Sequence, residues 1–201
     1  MPPLIIRTAH LELVAAEPDV ALAEAAGAPD WWRGLSVPRP ASWPPPLNDS
    51  ESLAWFARCI ADDPGSLGWF TWYVVRRQPA ERLLIGSCGF KGRPDSGGSV
   101  EVGYGLLPGY QRQGFGTELT GALVSWAFGH EMVTRVLAET LPELVGSVRV
   151  LEKNGFELVG RGSARDTILF ELRRSVFERR ASRAAGAGRP QHPTPNLQLK
   201  K

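Results

Sequence analysis

The stretch from Ser99 to Phe128 constrains the fold most, because the periodicity of its side chains changes partway along it. Up to Leu107, Val100, Val102 and Tyr104 alternate with Glu101, Gly103 and Gly105, the two-residue repeat of a strand. Over 116–128, Leu119, Ala122, Leu123 and Trp126 recur at i, i+3, i+4 and i+7, the repeat of an amphipathic helix. Pro108-Gly109 and Gly114-Phe115-Gly116 lie between the two, so a strand ends in a glycine-rich turn that opens directly into a helix. An all-helical bundle and an all-β sandwich are both excluded by this junction.

The flanking segments extend the pattern. Hydrophobic periodicity predicts a first strand over 5–15, a helix over 15–26 with Pro18 in its first turn, and a helix over 51–61 behind the N-capping residues Asn48, Asp49 and Ser50. Segments 69–76 and 83–90 read as a hairpin about a turn at 78–82, and 99–107 as the third strand of a meander. Then follow the helix over 116–128, a strand over 135–140, a helix over 144–154 stopped by Gly155, and a closing strand pair over 156–160 and 167–173. Five prolines around Trp43, from Pro38 to Pro46, exclude regular structure there and predict an ordered loop or a lid. Trp31, Trp32, Trp43 and Trp55 are expected to form a satellite core beneath it. The element order is that of an α/β domain of α+β type with a mixed sheet.

Composition narrows the functional classes. The 201 residues are 43% hydrophobic and 22% charged, as in a globular domain, and no apolar run approaches the roughly 18 residues of a membrane span. The first residues show no basic region followed by an apolar core and a cleavage site, so the expected location is cytoplasmic. Cys59 and Cys88 match no zinc or redox spacing and are expected to be buried thiols. His10, His130 and His192 are isolated, which argues against a metal site and against a Ser-His-Asp triad. Six of the 23 basic residues and none of the 21 acidic ones lie in 179–201, leaving 17 bases against 21 acids before them. A mildly acidic body argues against a nucleic-acid surface, although the basic end keeps that reading as a third alternative. The expected organisation is a folded domain over 1–180 and a disordered basic tail over 181–201, whose prolines and lack of aromatic residues leave too little apolar surface to offset the ordering entropy.

The junction itself suggests a chemistry. A glycine-rich turn at a helix N-terminus directs backbone N–H groups and the positive end of the helix dipole toward one point, and so holds a phosphate or pyrophosphate. It is not a P-loop, since Phe115-Gly116 replaces Lys-Ser/Thr, and it lacks the third glycine of a dinucleotide fingerprint. The pattern Gln/Arg-x-x-Gly-x-Gly/Ala does fit, as Gln111, Gly114 and Gly116, directly after a strand bearing Glu101-Val102-Gly103-Tyr104. A second segment, Glu139-Thr140-Leu141-Pro142-Glu143 leading to Ser147-Val148-Arg149-Val150-Leu151-Glu152-Lys153-Asn154-Gly155-Phe156, follows it. Together these resemble the GNAT family of N-acetyltransferases, in particular its RimJ/RimL-like branch, over about residues 4–173. The branch's Asn three positions before the serine is Leu144 here.

The resemblance implies a central, mostly antiparallel, splayed sheet flanked by helices and an acetyl-CoA-dependent N-acetyltransferase needing no metal. It implies cofactor contacts from Leu106, Gln111, Arg112, Gln113, Gly114, Phe115, Gly116, Thr117 and Ser147, and catalytic roles for Glu101, Ser147 and Tyr104. The region of the tryptophans and prolines would help line the acceptor pocket. The partner expected is an amine acceptor, either a small molecule or a protein N-terminus, with a homodimer among the expected assemblies. The alternative, raised by Leu144, is a CoA-binding regulatory or interaction module with reduced turnover. Each residue also has a purely structural reading: Gly114 and Gly116 as a turn and close packing, Arg112 as a surface charge, Glu101 as a half-exposed carboxylate, Ser147 as a first-turn stabiliser, Tyr104 and Tyr110 as packing. Glu101 is the only acid on its strand, and a single carboxylate acting through water suits an α-amine, with its ordinary pKa of about 7.7–8.0, better than a lysine near about 10.4.

Overall fold

The computed structural model describes residues 3–40, 42–46, 48–77 and 81–187. Its eight strands are β1 (Ile5–Arg7), β2 (Leu11–Ala15), β3 (Thr71–Arg77), β4 (Arg82–Phe90), β5 (Ser99–Leu106), β6 (Arg135–Thr140), β7 (Glu157–Arg161) and β8 (Ile168–Arg173). They form one sheet in the order β1-β2-β3-β4-β5-β6-β8-β7. Only β5 and β6 run parallel, joined by the crossover helix that a parallel pair requires. The helices are α1 (Pro18–Ala25), α2 (Ser50–Asp62), α3 (Phe115–Phe128), α4 (Val145–Asn154) and α5 (Arg174–Ala187).

Two expectations are corrected, and a third falls partly outside the described residues. The single strand over 5–15 is a hairpin, β1 against β2, because Thr8 turns the chain: its hydroxyl accepts from Leu11 N–H at 2.9 Å and is itself tied to Glu118 of α3 at 2.6 Å. The expected boundary at 180 falls inside α5, and the rest of the expected tail, 188–201, lies outside the described residues. Cys59 is half-buried, whereas Cys88 is buried. The turn expected at 78–82 falls largely on undescribed residues, but β3 and β4 pair antiparallel as a hairpin should.

Two cores hold the sheet between helical layers. On one face Leu11, Leu13, Trp72, Val74, Ile85, Val100 and Val102 pack against Leu119, Leu123 and Ala127 of α3 and Leu151 of α4. On the other, Val14, Tyr73, Val75 and Leu84 meet Ala21 of α1, Ala57 and Ile60 of α2, and Trp31. Trp31 lies 5.2 Å from Trp43 and 6.2 Å from Trp32 between ring centroids, so the expected satellite core forms from these three. Trp55 is 44% exposed and joins Phe56 and Phe70 instead.

α5 is held by its arginines. Arg174 donates to the carbonyls of Phe128, His130 and Val133 at 2.8, 2.6 and 2.9 Å, and Arg180 to Lys153 O at 2.9 Å. Cations thus lie at the carbonyl-rich C-terminal ends of α3 and α4, where the helix dipole favours them.

The feature that positions the site is a division of the sheet. β5 pairs with β6 only through Ser99, Val100 and Glu101, and with β4 from Val102 to Leu106. β6 pairs with β8 as far as Thr140. Beyond Glu101 and Leu137 the two wings of the sheet separate.

Candidate active site

Alternation along β5 decides what faces the gap between the wings. Lys91 N–H donates to Glu101 O and Leu107 N–H to Ile85 O, so alternate residues of β5 from Glu101 direct their backbone groups to β4. Val102, Tyr104 and Leu106 therefore turn theirs the other way: the Val102 N–H completes the last pairing, with Leu137 of β6, and beyond it Tyr104 and Leu106 edge the gap. Of these, the Leu106 carbonyl is taken by Gln111 Nε2 at 3.0 Å. The gap is thus edged by strand-like donors and acceptors without a strand.

The mouth of the gap is the turn after β5. Gln111 ties it to Leu106, and Gln113 Nε2 donates to Gly109 O at 2.7 Å, so both glutamines brace the turn. Arg112 and Gly114 have φ of 57° and 90°, which reverses the chain sharply, and glycine takes that conformation at Gly114 without steric cost. Gly114 caps α3 without a side chain, so the first-turn amides of the helix keep their donors and face the mouth. A Cβ added at Gly109 or Gly114 would meet nothing within 4 Å. Gly116 also serves packing, since a Cβ there would lie 3.1 Å from Val150 Cγ2 and its absence lets α3 and α4 approach closely. The Arg76 guanidinium lies over the Phe115 ring, 5.4 Å from its centroid, adding a cation at the helix start. Sequence reasoning missed it because only the pairing of Leu11 with Arg76 brings the end of β3 there.

Tyr104 and Ser147 come together on the helical face. The Tyr104 hydroxyl lies 3.1 Å from Ser147 Oγ and 3.3 Å from its carbonyl oxygen. Burial raises the Tyr104 hydroxyl above its ordinary pKa, against the smaller opposite effect of Ser147, so it holds its proton at neutral pH. Ser147 stands in the first turn of α4, whose N-cap is Leu144, 38% exposed and making no side-chain cap. The Asn of the family pattern would occupy that cap position.

Glu101 is not with them. It projects from the opposite face, 24% exposed, and is ion-paired with Lys91. Gly103, next on that face, would carry a Cβ into open space, while a Cβ on Gly105 would meet Pro45 Cβ at 3.1 Å. The proline-rich loop therefore forms one wall of this face. Asn48 Nδ2 anchors it to Ser87 Oγ at 2.8 Å, and Trp43 Nε1 to Glu24 at 2.6 Å, the same carboxylate accepting from Tyr73 at 2.5 Å. Burial pushes the Glu24 carboxyl up, and the bonds from Tyr73 and Trp43 work against it.

The arrangement fits an extended, amide-bearing chain lying in the gap with a diphosphate at the start of α3. One face of the gap is covered by α3 and α4, and the face of Glu101 and Gly103 is the open one.

Residues 10–157 match the family described as acetyltransferase (GNAT) domain. The chain is 32% identical over 108 residues to the uncharacterized N-acetyltransferase YjdG of Bacillus subtilis, a match covering 54% of this chain and 63% of that relative. The chain spans less than two thirds of the length of the curated relatives it matches. Among solved structures, RimL, a ribosomal L7/L12 alpha-N-protein acetyltransferase in complex with coenzyme A, superposes with a TM-score of 0.58 at 18% identity, over 85% of this chain and 98% of its own. The self-immunity acetyltransferase MccE in complex with acetyl-CoA and AMP does so with a TM-score of 0.60 at 14% identity, over 86% and 97%. With the family match spanning most of the chain and the splayed mixed sheet common to these folds, this protein belongs to the GNAT acetyltransferase family.

Proposed function

We propose that the protein transfers an acetyl group from acetyl-CoA to a primary amine, an α-amine of a protein N-terminus or of a small molecule. The observation that carries this reading is the gap itself: past the last β5–β6 pair, the backbone edge at Tyr104 leads to the uncapped start of α3. The pantetheine amides of the donor match the first and its pyrophosphate the second. The neighbours RimL and MccE, solved with coenzyme A and acetyl-CoA, support the same donor.

The roles follow from the two faces. The first-turn amides of Phe115, Gly116 and Thr117 hold the diphosphate, with Arg112 and Arg76 as neighbouring cations, and Leu106, Gln111 and Gln113 shape the turn. Glu101 takes the proton of the attacking ammonium, directly or through water. The neutral nitrogen then bonds to the thioester carbon, the C–S bond breaks as the thiolate leaves, and the proton shed by the new amide nitrogen passes to solvent, from which Tyr104 regains the one it gives to sulfur. Tyr104, oriented by Ser147 and still protonated, donates to that sulfur. Leu144 stands at a helix cap, and the Tyr104–Ser147 contact forms with it in place, which favours turnover over a silent binding module.

Glu101→Gln tests the assignment. Steady-state kinetics with an acetylated acceptor should show kcat lower by about 10²-fold, with acetyl-CoA affinity by calorimetry unchanged. Wild-type turnover would make Glu101 structural. A bulky residue at Gly116 should also weaken acetyl-CoA binding, but its contact with Val150 requires affinity and melting temperature to be read together.

A further inference from the structure

The Lys91–Glu101 pair sits where β5 leaves β6, on the face from which the acceptor enters. Glu101 is the last residue of β5 paired with β6, and the next position on its face, Gly103, is open space. An amine that reaches the gap along this face meets the Glu101 carboxylate already holding an ammonium. The pair is not buried: Lys91 is 54% exposed. Exposed pairs of this kind contribute little, so an arriving ammonium can displace Lys91 at small cost. The displaced Lys91, exposed to solvent, is then free to pair with an anion. The acceptor can supply it if it carries a carboxylate close to its amine.

Resting on the acetyltransferase reading, we propose that Lys91 is a specificity-determining residue and that the acceptor is an α-amine bearing a nearby carboxylate. The ammonium of such a molecule replaces Lys91 on Glu101, and its carboxylate receives Lys91, so two opposite charges exchange partners and neither is left alone. Two sources share this chemistry, a free amino acid and a peptide whose N-terminal residue is acidic. A neutral amine satisfies only half of the site.

The test uses the full chain with acetyl-CoA and matched acceptors. One arm compares Asp-Ala-Ala-amide with the isosteric Asn-Ala-Ala-amide, and the other compares free alanine with alaninamide, product being followed by mass spectrometry. In at least one arm the carboxylate-bearing acceptor should have kcat/KM higher by about three- to fivefold. Lys91→Gln should reduce that ratio to within about twofold, mainly through KM, and Lys91→Arg should retain it. The arm that shows the preference identifies the source. A ratio near one in the wild type, a ratio that survives Lys91→Gln, or an equal loss on both members of a pair would overturn the assignment. Calorimetry with acetyl-CoA separates the levels. Binding without acetylation of any of the four acceptors refutes the acceptor class alone, and absence of binding refutes the acetyltransferase reading and this inference with it.

Discussion

Thr120 is fully buried on α3, and its hydroxyl has no hydrogen-bond partner among the described residues. A buried unsatisfied hydroxyl costs free energy that an isosteric methyl group does not. Thr120→Val keeps the β-branched shape and should stabilise by about 1 kcal/mol, raising the melting temperature by about 2–4 °C in a chain of this size. Calorimetric scanning of the two proteins checks it, and a lower melting temperature would mean that the hydroxyl has a partner. At this scale residue identities are legible in the sequence and residue roles less so. The motif implies a cofactor contact for Gln111, and its amide also braces the Leu106 carbonyl. The motif places Gly116 at the diphosphate, and its missing Cβ admits Val150. Both roles depend on atoms that come from elsewhere in the chain or from the turn's final shape.

Among the elements, α4 and the β7–β8 hairpin make the clearest predictions. α4 begins at Leu144 with no side-chain cap. Leu144→Asn should supply one and stabilise by about 0.5–2 kcal/mol, measured by denaturant unfolding, with unchanged secondary structure. The loop between β7 and β8 is held by Glu139, which accepts from Ser163 N–H at 2.8 Å, Ala164 N–H at 3.3 Å and Thr167 Oγ1 at 2.9 Å. Burial raises this carboxyl, but the hydrogen bonds outweigh it and hold it at about 2 against an ordinary 4.5. A depressed carboxyl contributes its stability above the ordinary pKa and loses it as pH falls toward the folded value. Glu139→Gln should therefore lower the melting temperature at pH 7, and the difference from wild type should shrink between about pH 4.5 and 2. A pH-independent difference would assign the loss to packing.

The same elements show where periodicity stops informing. The helices α2, α3 and α4 and the strands from β3 onward are legible because their apolar repeats are uninterrupted and bounded by caps, glycines or prolines. The first hairpin is not, since Thr8 and His10 fit a strand and their turn is tied down by Glu118, which accepts from Thr8 Oγ1 at 2.6 Å and His10 N–H at 2.7 Å. Nor is α5, since its arginine-rich sequence has little apolar signal and its anchors are the carbonyl ends of two other helices.

For the molecule as a whole, the division of the sheet beyond Glu101 carries the function. The two wings are joined across β5 and β6 by three residue pairs, so a ligand strand lying in the gap should stiffen the region. Hydrogen exchange should then show the Tyr104 amide protected on adding acetyl-CoA, while those of Val102, already paired with β6, and of Gly103 and Gly105, which face β4, change little. Equal protection along β5 would indicate global stabilisation instead of strand-like binding. By itself the sequence determined the element order, the change of period after β5 and the glycine turn at the head of α3, because these rest on local sterics and short-range patterning. It also carried the family pattern that points to acetyl-CoA. Only the tertiary structure decided that β5 and β6 part after Glu101, that Tyr104 meets Ser147 on one face while Glu101 meets Lys91 on the other, and that Pro45 walls the Glu101 face. Those are relations between segments distant in the chain, set by strand register and helix packing, and no local propensity encodes them.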